Sequence, residues 1–254
     1  MVPVDLYDEI KITRPRLGTV AKNCLMVTCD DPQVPSGKAN LVYQATSLLL
    51  TKKGIHDPVR IHIRKRIPVG GGLGGGSSDA AATLLGLNRL FRLRCKRREI
   101  LSLAASLGAD VPFFISGRPA RAKGIGEILE SIPDFPRLWV VILYPGFPVS
   151  TRWVYRNLKL TKAIENTSIN FSPENLGGFQ HLMVNDLERV TVGRYPQIAF
   201  LKERLIQEGA AAALMAGSGS SVFGIFSAAE RAKEAFLHLR NEEGVQAYLV
   251  RSLS

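Results

Sequence analysis

The chain has 254 residues, 46% of them hydrophobic and 22% charged, with a formal net charge of +11 and three cysteines. That length suits one large domain or two modest ones, and that balance excludes disordered and fibrous classes. Cys24, Cys29 and Cys95 form neither an even set nor a close-spaced Cys/His pattern, so they read as free thiols rather than a disulfide framework or a zinc site. The opening Met1-Val-Pro-Val-Asp-Leu-Tyr-Asp-Glu9 carries acids where a signal peptide needs basic and then apolar residues. The longest apolar runs, Trp139 to Leu143 and Ala210 to Ala216, fall far short of the roughly 20 residues that span a bilayer. A cytoplasmic protein with no membrane partner is expected. The positive charge would suit a nucleic-acid binder, but the basic residues are dispersed apart from Arg89, Arg92, Arg94, Lys96, Arg97 and Arg98, which follow a helix and read as its solvated end. No nucleic-acid partner is expected, and a basic surface also attracts anionic nucleotides.

In chain order, Leu6 to Thr13 and Val59 to Arg64 alternate apolar and polar residues, the period of half-buried strands. Between them Ala39 to Leu50 has helical spacing at Leu41, Ala45, Leu48 and Leu49. A glycine-rich segment, Pro68-Val-Gly-Gly-Gly-Leu-Gly-Gly-Gly-Ser-Ser-Asp79, leads into a helix expected near Ser78, with Ala80, Leu84, Leu87 and Phe91 on its buried face. A second helix is expected over Lys96 to Leu107, ending at Gly108. Trp139 to Tyr144 reads as a buried strand closed by Pro145-Gly146, which places a domain boundary after residue 147: residues 1–147, then 148–254. The rest opens with a polar loop at Asn166 to Gly178. It continues through helices at Asn185 to Val192 and Ile198 to Glu208, two strands flanking Gly217-Ser-Gly-Ser-Ser221, a helix at Glu230 to Arg240 and a strand at Ala247 to Val250. The fold class is α+β, with antiparallel pairing expected across the Gly217 turn.

Six glycines in the seven positions Gly70 to Gly76 cost conformational entropy that a simple turn does not require. Between a strand and a helix, small residues let backbone N–H groups converge on an anion at the helix N-terminus. A dinucleotide site is excluded because about twenty residues on, where an acid is needed, the chain has Cys95-Lys96-Arg97. A P-loop is excluded because Gly76 takes the lysine position. Ser77 and Ser78 can offer hydroxyls to phosphate or Mg²⁺, and Ser78 can also cap the helix. Asp110, in Ser106-Leu-Gly-Ala-Asp-Val-Pro-Phe-Phe114, would by itself be a turn residue; beside a triphosphate it becomes a candidate base for an alcohol acceptor. Gly217, Ser218 and Gly219 make either a tight hairpin or a clamp close to a ligand. A phosphate cradle, a base and a clamp together are what a small-molecule kinase needs.

These motifs resemble the GHMP kinase superfamily, and within it the branch whose substrate is a cytidyl diphosphate sugar alcohol. Pro68 to Ala81 is similar to the superfamily's second motif, Leu107 to Phe113 to the segment with its catalytic aspartate, and Gly124-Ile-Gly-Glu-Ile128 to the stretch that follows. Asn185-Asp-Leu-Glu188, Tyr195-Pro196 and Gly217 to Phe223 are similar to the C-terminal half, including the third motif. The resemblance implies a mixed α/β two-domain GHMP kinase fold, with an N-terminal domain like ribosomal protein S5 domain 2 and a C-terminal ferredoxin-like α/β sandwich. It implies ATP and Mg²⁺ over the loop formed by Pro68, Val69, Gly70, Gly71, Gly72, Leu73, Gly74, Gly75, Gly76, Ser77 and Ser78. It further implies adenine contacts near Asn40, Leu41, Val42 and Lys65, and Asp110 as base toward a hydroxyl of the substrate. A monomer or homodimer in the bacterial cytoplasm is the expected form.

The superfamily's first motif, a Pro-Ala-Lys strand whose lysine pairs with the aspartate, and the Tyr-His pair that follows it have no counterpart here. Met1 matches a position internal to the usual sequence, so the expectation is a start upstream of Met1 or a shortened gene. No motif assigns Lys38, Lys65 or Lys123 to the lysine's role. The alternatives to the kinase are a non-catalytic nucleotide-binding remnant and a sibling kinase acting on another small alcohol.

Overall fold

The computed structural model describes residues 1–15, 24–124, 126, 128–158 and 183–253. The polar loop expected at Asn166 to Gly178 lies outside the described residues, as do Ile125 and Glu127 of the Gly124 to Ile128 segment. The chain divides into two compact units, Met1–Val69 with Gly74–Pro133, and Gly70–Leu73 with Asp134–Ser254. Among the described residues no helix is long and apolar enough to cross a membrane.

In the first unit three strands, β1 (Glu9–Thr13), β2 (Leu25–Cys29) and β3 (Val59–Arg64), make a sheet in the order β1-β3-β2. β3 is antiparallel to β1 and parallel to β2. Val59, Ile61 and Ile63 point from β3 into the core while Arg60, His62 and Arg64 face out, the alternation visible in the sequence. Four helices cover the inner face: α1 (Leu41–Lys52), α2 (Gly75–Leu90), α3 (Arg97–Leu107) and α4 (Val111–Ser116). Their buried residues, among them Leu49, Leu84, Leu87, Ile100 and Val111, join Ile61 and Ile63 in one apolar cluster. A hairpin of β4 (Ala120–Lys123) and β5 (Ile128–Ser131) completes this unit.

The strand expected from Leu6 begins only at Glu9, because Asp8 is turned inward, where its Oδ1 accepts the backbone N–H groups of Arg66 (2.6 Å) and Ile67 (2.9 Å). α2 starts at Gly75, not near Ser78. Gly74 sits at its N-cap in the left-handed region, φ 72°, a conformation glycine adopts without penalty. Ser78 does not cap the helix; its hydroxyl donates to the Gly75 carbonyl (2.8 Å).

The second unit holds β6 (Trp139–Tyr144), β7 (Ala212–Met215), β8 (Val222–Phe226) and β9 (Gln246–Arg251) in the order β7-β8-β6-β9, with every neighbour antiparallel. With α7 (Gln197–Gln207) and α8 (Ala229–Leu239) this is the βαββαβ arrangement of a ferredoxin-like sandwich. Ile198, Leu201 and Leu205 of α7, Ala232, Ala235 and Leu239 of α8, and Val141, Leu143, Val222 and Phe226 of the sheet form its core. Two shorter helices, α5 (Thr151–Asn157) and α6 (Asp186–Arg194), flank it in sequence. β7 and β8 pair across the Gly217 turn as expected, Met215 opposite Val222. The division between units falls at Pro133/Asp134 rather than after residue 147, because Trp139–Tyr144 is hydrogen-bonded to β8 and β9.

Adjacent residues on opposite faces of α2 test the packing. Leu84 is fully buried and Leu85 is 44% exposed. Leu84→Ala should lower the free energy of unfolding in urea by about 2–5 kcal/mol, and Leu85→Ala by less than about 0.5 kcal/mol. Equal losses would contradict the assigned face.

Candidate active site

The glycine segment is held backbone against backbone. Residues Gly70–Leu73 pack within the second unit, where Gly70 O accepts from Val149 N (3.1 Å) and Gly71 O accepts from Ser221 N (3.1 Å). A Cβ on Gly72 would overlap the Ala216 carbonyl oxygen and lie 2.9 Å from that of Gly219; one on Gly70 would overlap Pro148. Gly217 meets the same constraint from the other side, since its Cβ would fall 3.0 Å from Gly72 O. Gly70, Gly72, Gly217 and Gly219 all have positive φ. The two glycine motifs recognised in the sequence are therefore in contact, and the close approach, more than the turn geometry, is what requires glycine there.

From Gly74 onward the loop belongs to the first unit. The Phe114 ring of α4 lies 2.8 Å from where a Gly74 Cβ would stand, and Lys65 Nζ 2.9 Å from that of Gly75. The first turn of α2 presents the backbone N–H groups of Gly75, Gly76 and Ser77, which are not used inside the helix, at the positive end of its dipole, while Ser78 N–H already donates to Gly74 O (2.9 Å). Pro68, Val69 and Leu73 are half-buried. Asp110 immediately precedes α4; it is exposed, and among the described residues its carboxylate has no hydrogen-bond or ion-pair partner. Ala109 lies against Gly126, whose Cβ would stand 3.5 Å from Ala109 Cβ, so Gly126 meets the aspartate's own loop.

Asn40, Leu41 and Val42 form the start of α1. Asn40 caps it, its Oδ1 accepting from Val42 N (2.8 Å) while its Nδ2 donates to Pro35 O (2.9 Å). Its side chain is thus committed, and Val42 is 1% exposed with its side chain in the core. Leu41 lies next to α2, its Cδ1 3.7 Å from a Gly76 Cβ position.

Lys65 has a structural commitment that sequence reasoning missed. Its Nζ is ion-paired with Asp8 and, at 2.9 Å, with Asp79, and the three side chains are only 5%, 2% and 6% exposed. Its backbone N–H also donates to Asp30 Oδ1 (2.8 Å). Burial works against the ammonium, but Asp79 and Asp8 outweigh it and hold the Lys65 pKa above the usual lysine value. Burial pushes Asp79 up to about 7, with Lys65 opposing the rise and Asp8 adding to it. Both directions follow from one ammonium placed between two carboxylates. Asp8 also accepts from two backbone N–H groups, those of Arg66 and Ile67. The sequence signal was present: Asp79 is a lone acid abutting the apolar stripe of α2, where a carboxylate needs a buried cation.

Model-based family comparison matches residues 40–118 to "GHMP kinases N terminal domain" and residues 161–244 to "GHMP kinases C terminal". A relative from Geobacter metallireducens named 4-diphosphocytidyl-2-C-methyl-D-erythritol kinase is 44% identical over 253 residues, which is 100% of this chain and 88% of the relative. The crystal structure of a 4-(cytidine 5'-diphospho)-2C-methyl-D-erythritol kinase superposes with a TM-score of 0.77 at 32% identity, covering 100% of this chain and 88% of that one. A homoserine kinase from Cytophaga hutchinsonii superposes at 0.64 with 19% identity over 99% of this chain and 88% of its own, a likeness of fold alone. The chain belongs to the GHMP kinase family.

Two predictions test this geometry. Gly72→Ala should destabilise the protein by about 2–5 kcal/mol in denaturant unfolding, combining a left-handed Cβ penalty of about 1–2 with an overpacking cost of about 1–3. Wild-type stability would refute the close approach. For Asp79, the raised folded pKa means that its contribution to stability is fully present below about pH 4 and is lost as the pH rises through about 7. The stability of the wild type relative to Asp79→Asn should therefore be greater at about pH 5 than at about pH 8; a difference independent of pH would show that Asp79 does not titrate in this window.

Proposed function

We propose that the chain transfers the γ-phosphoryl group of ATP to the 2-hydroxyl of 4-diphosphocytidyl-2-C-methyl-D-erythritol, giving the 2-phosphate and ADP in the non-mevalonate route to isoprenoid precursors. The observation that carries the phosphoryl-transfer part is local to the first unit: α2 opens on backbone N–H groups unused inside the helix, and α4, which follows exposed Asp110, packs against Gly74 at that opening. The acceptor is supported by the whole-length identity to relatives bearing that substrate in their name.

In this reading the loop from Pro68 to Ser78 binds and orients the phosphates through the backbone N–H groups of Val69 to Ser77, pre-aimed at charge that builds on the transferred group. ATP supplies the phosphoryl group. Asp110 accepts the proton of the attacking hydroxyl as its oxygen bonds to phosphorus, and ADP departs. Gly217, Ser218 and Gly219 hold phosphate or acceptor in place. Asn40, Leu41, Val42 and Lys65 lie toward the adenine, with the Asn40 side chain held by Val42 N and the Lys65 side chain by Asp8 and Asp79. Among the described residues no cluster of three acidic, His or Cys side chains could hold a metal ion by itself. The hydroxyls of Ser77 and Ser78 would hold a Mg²⁺ ion that enters with the nucleotide, and the ion would neutralise charge on the phosphates. The protein acts in the bacterial cytoplasm as a monomer or homodimer, without nucleic acid or membrane.

The test is to incubate purified protein with Mg·ATP and the cytidyl alcohol and follow the new phosphomonoester by phosphorus NMR. Turnover of homoserine or mevalonate in place of the cytidyl alcohol would remove the acceptor assignment. Asp110→Asn should lower kcat by roughly 10²–10⁴-fold while leaving ATP affinity within about twofold, and an unchanged kcat would remove Asp110 from the base role.

A further inference from the structure

Resting on the reading of the glycine loop as a phosphate cradle, we propose that Asn185 is a positioning residue. Its carboxamide, aided by Glu188 and Thr191, sets the conformation of the Gly217 turn and, through that turn, of the loop tip at Gly70 to Gly72.

Asn185, Glu188 and Thr191 are spaced by three, so they share one face at the start of α6. All three reach the same short segment. Asn185 Nδ2 donates to Met215 O (2.9 Å) and Gly217 O (2.7 Å). Glu188 Oε2 accepts from Met215 N (3.0 Å), while its other oxygen is ion-paired with Lys202. Thr191 Oγ1 lies within hydrogen-bonding distance of Ser218 O (3.2 Å) and Leu187 O (3.1 Å), which share its one proton, and a second hydroxyl, Thr151 Oγ1, lies 2.9 Å from Ser218 Oγ. The turn so gripped is the one whose Ser221 N–H holds Gly71 O and whose Ala216 and Gly219 carbonyls crowd Gly72.

The choice of side chain at 185 is informative. Asn185 Oδ1 accepts from Leu187 N (3.0 Å) and caps α6, a task that Asp, Ser or Thr performs as well. Among these only Asn can accept for the cap and donate two hydrogen bonds at once. One amide orientation alone satisfies the cap and both carbonyls. Capping therefore explains a small polar residue here, and the grip on the turn explains the amide.

Asn185→Asp separates the two roles. It keeps size and cap acceptor, removes both donors, and sets a negative charge against two carbonyl oxygens. On protein shown by circular dichroism to be folded, calorimetry should find ATP affinity weakened about tenfold or more, and Thr191→Val, which removes one hydroxyl at constant shape, about threefold. If Asn185→Asp does not fold, Thr191→Val decides alone. Wild-type affinity in the folded variant overturns the proposal, because a residue that merely caps a helix would leave nucleotide binding per folded molecule unchanged. The readout does not involve the acceptor, so a wild type that binds ATP but ignores the cytidyl alcohol defeats the functional reading while leaving this one standing. A wild type that does not bind ATP overturns both.

Discussion

The site depends on a backbone approach that admits no side chain. At Gly72 the chain passes so close to the carbonyls of Ala216 and Gly219 that a single added carbon collides with both. Each of these glycines costs entropy on folding, and the sequence tolerates that cost where peptide groups must sit against peptide groups. What results is a loop whose N–H groups have been fixed before any anion arrives. Preorganised dipoles of this kind stabilise developing charge without reorganising at the moment of reaction.

The two ends of the loop are secured by different physics. The tip, Gly70 to Gly72, is held by hydrogen bonds to Val149 and Ser221 and by steric fit to the Gly217 turn, which α6 in turn braces. The helical end, from Gly74, is held by the Phe114 ring and by the buried set of Asp8, Lys65 and Asp79. Burying charges costs several kcal/mol per ion before pairing, so such a set is weak evidence of added stability. Its geometric effect is clear: Asp8 ties down the Lys65 side chain and the backbone of Arg66 and Ile67 immediately before the loop, and Asp79 ties the same ammonium to α2.

Much of this was legible in the sequence because it is periodic or compositional. The alternation of β3, the apolar stripe of α2, the buried run of β6 and the glycine density of the loop each follow from local rules. β2 was not legible: its inward Leu25, Val27 and Cys29 alternate with an outward Met26 that is 46% exposed, which hides the period. Four-residue β4 and β5 are too short to show one. The start of α2 was misplaced because a serine hydroxyl is the commoner cap, whereas here left-handed Gly74 takes that position. Lys65 and Asn185 were seen as family positions without their partners. Asp8 and Asp79 lie 57 and 14 residues from Lys65, and Met215 and Gly217 lie 30 and 32 from Asn185, separations that no local pattern encodes.

In the proposed function the backbone N–H groups of the glycine loop and of the first turn of α2 receive the nucleotide's phosphates. Amide hydrogen exchange followed by mass spectrometry, with and without Mg·ATP, reads those groups directly. Slowed exchange concentrated in the peptides covering residues 70–78 is the expected result. Unchanged exchange there, with protection appearing elsewhere under saturating nucleotide, would contradict it.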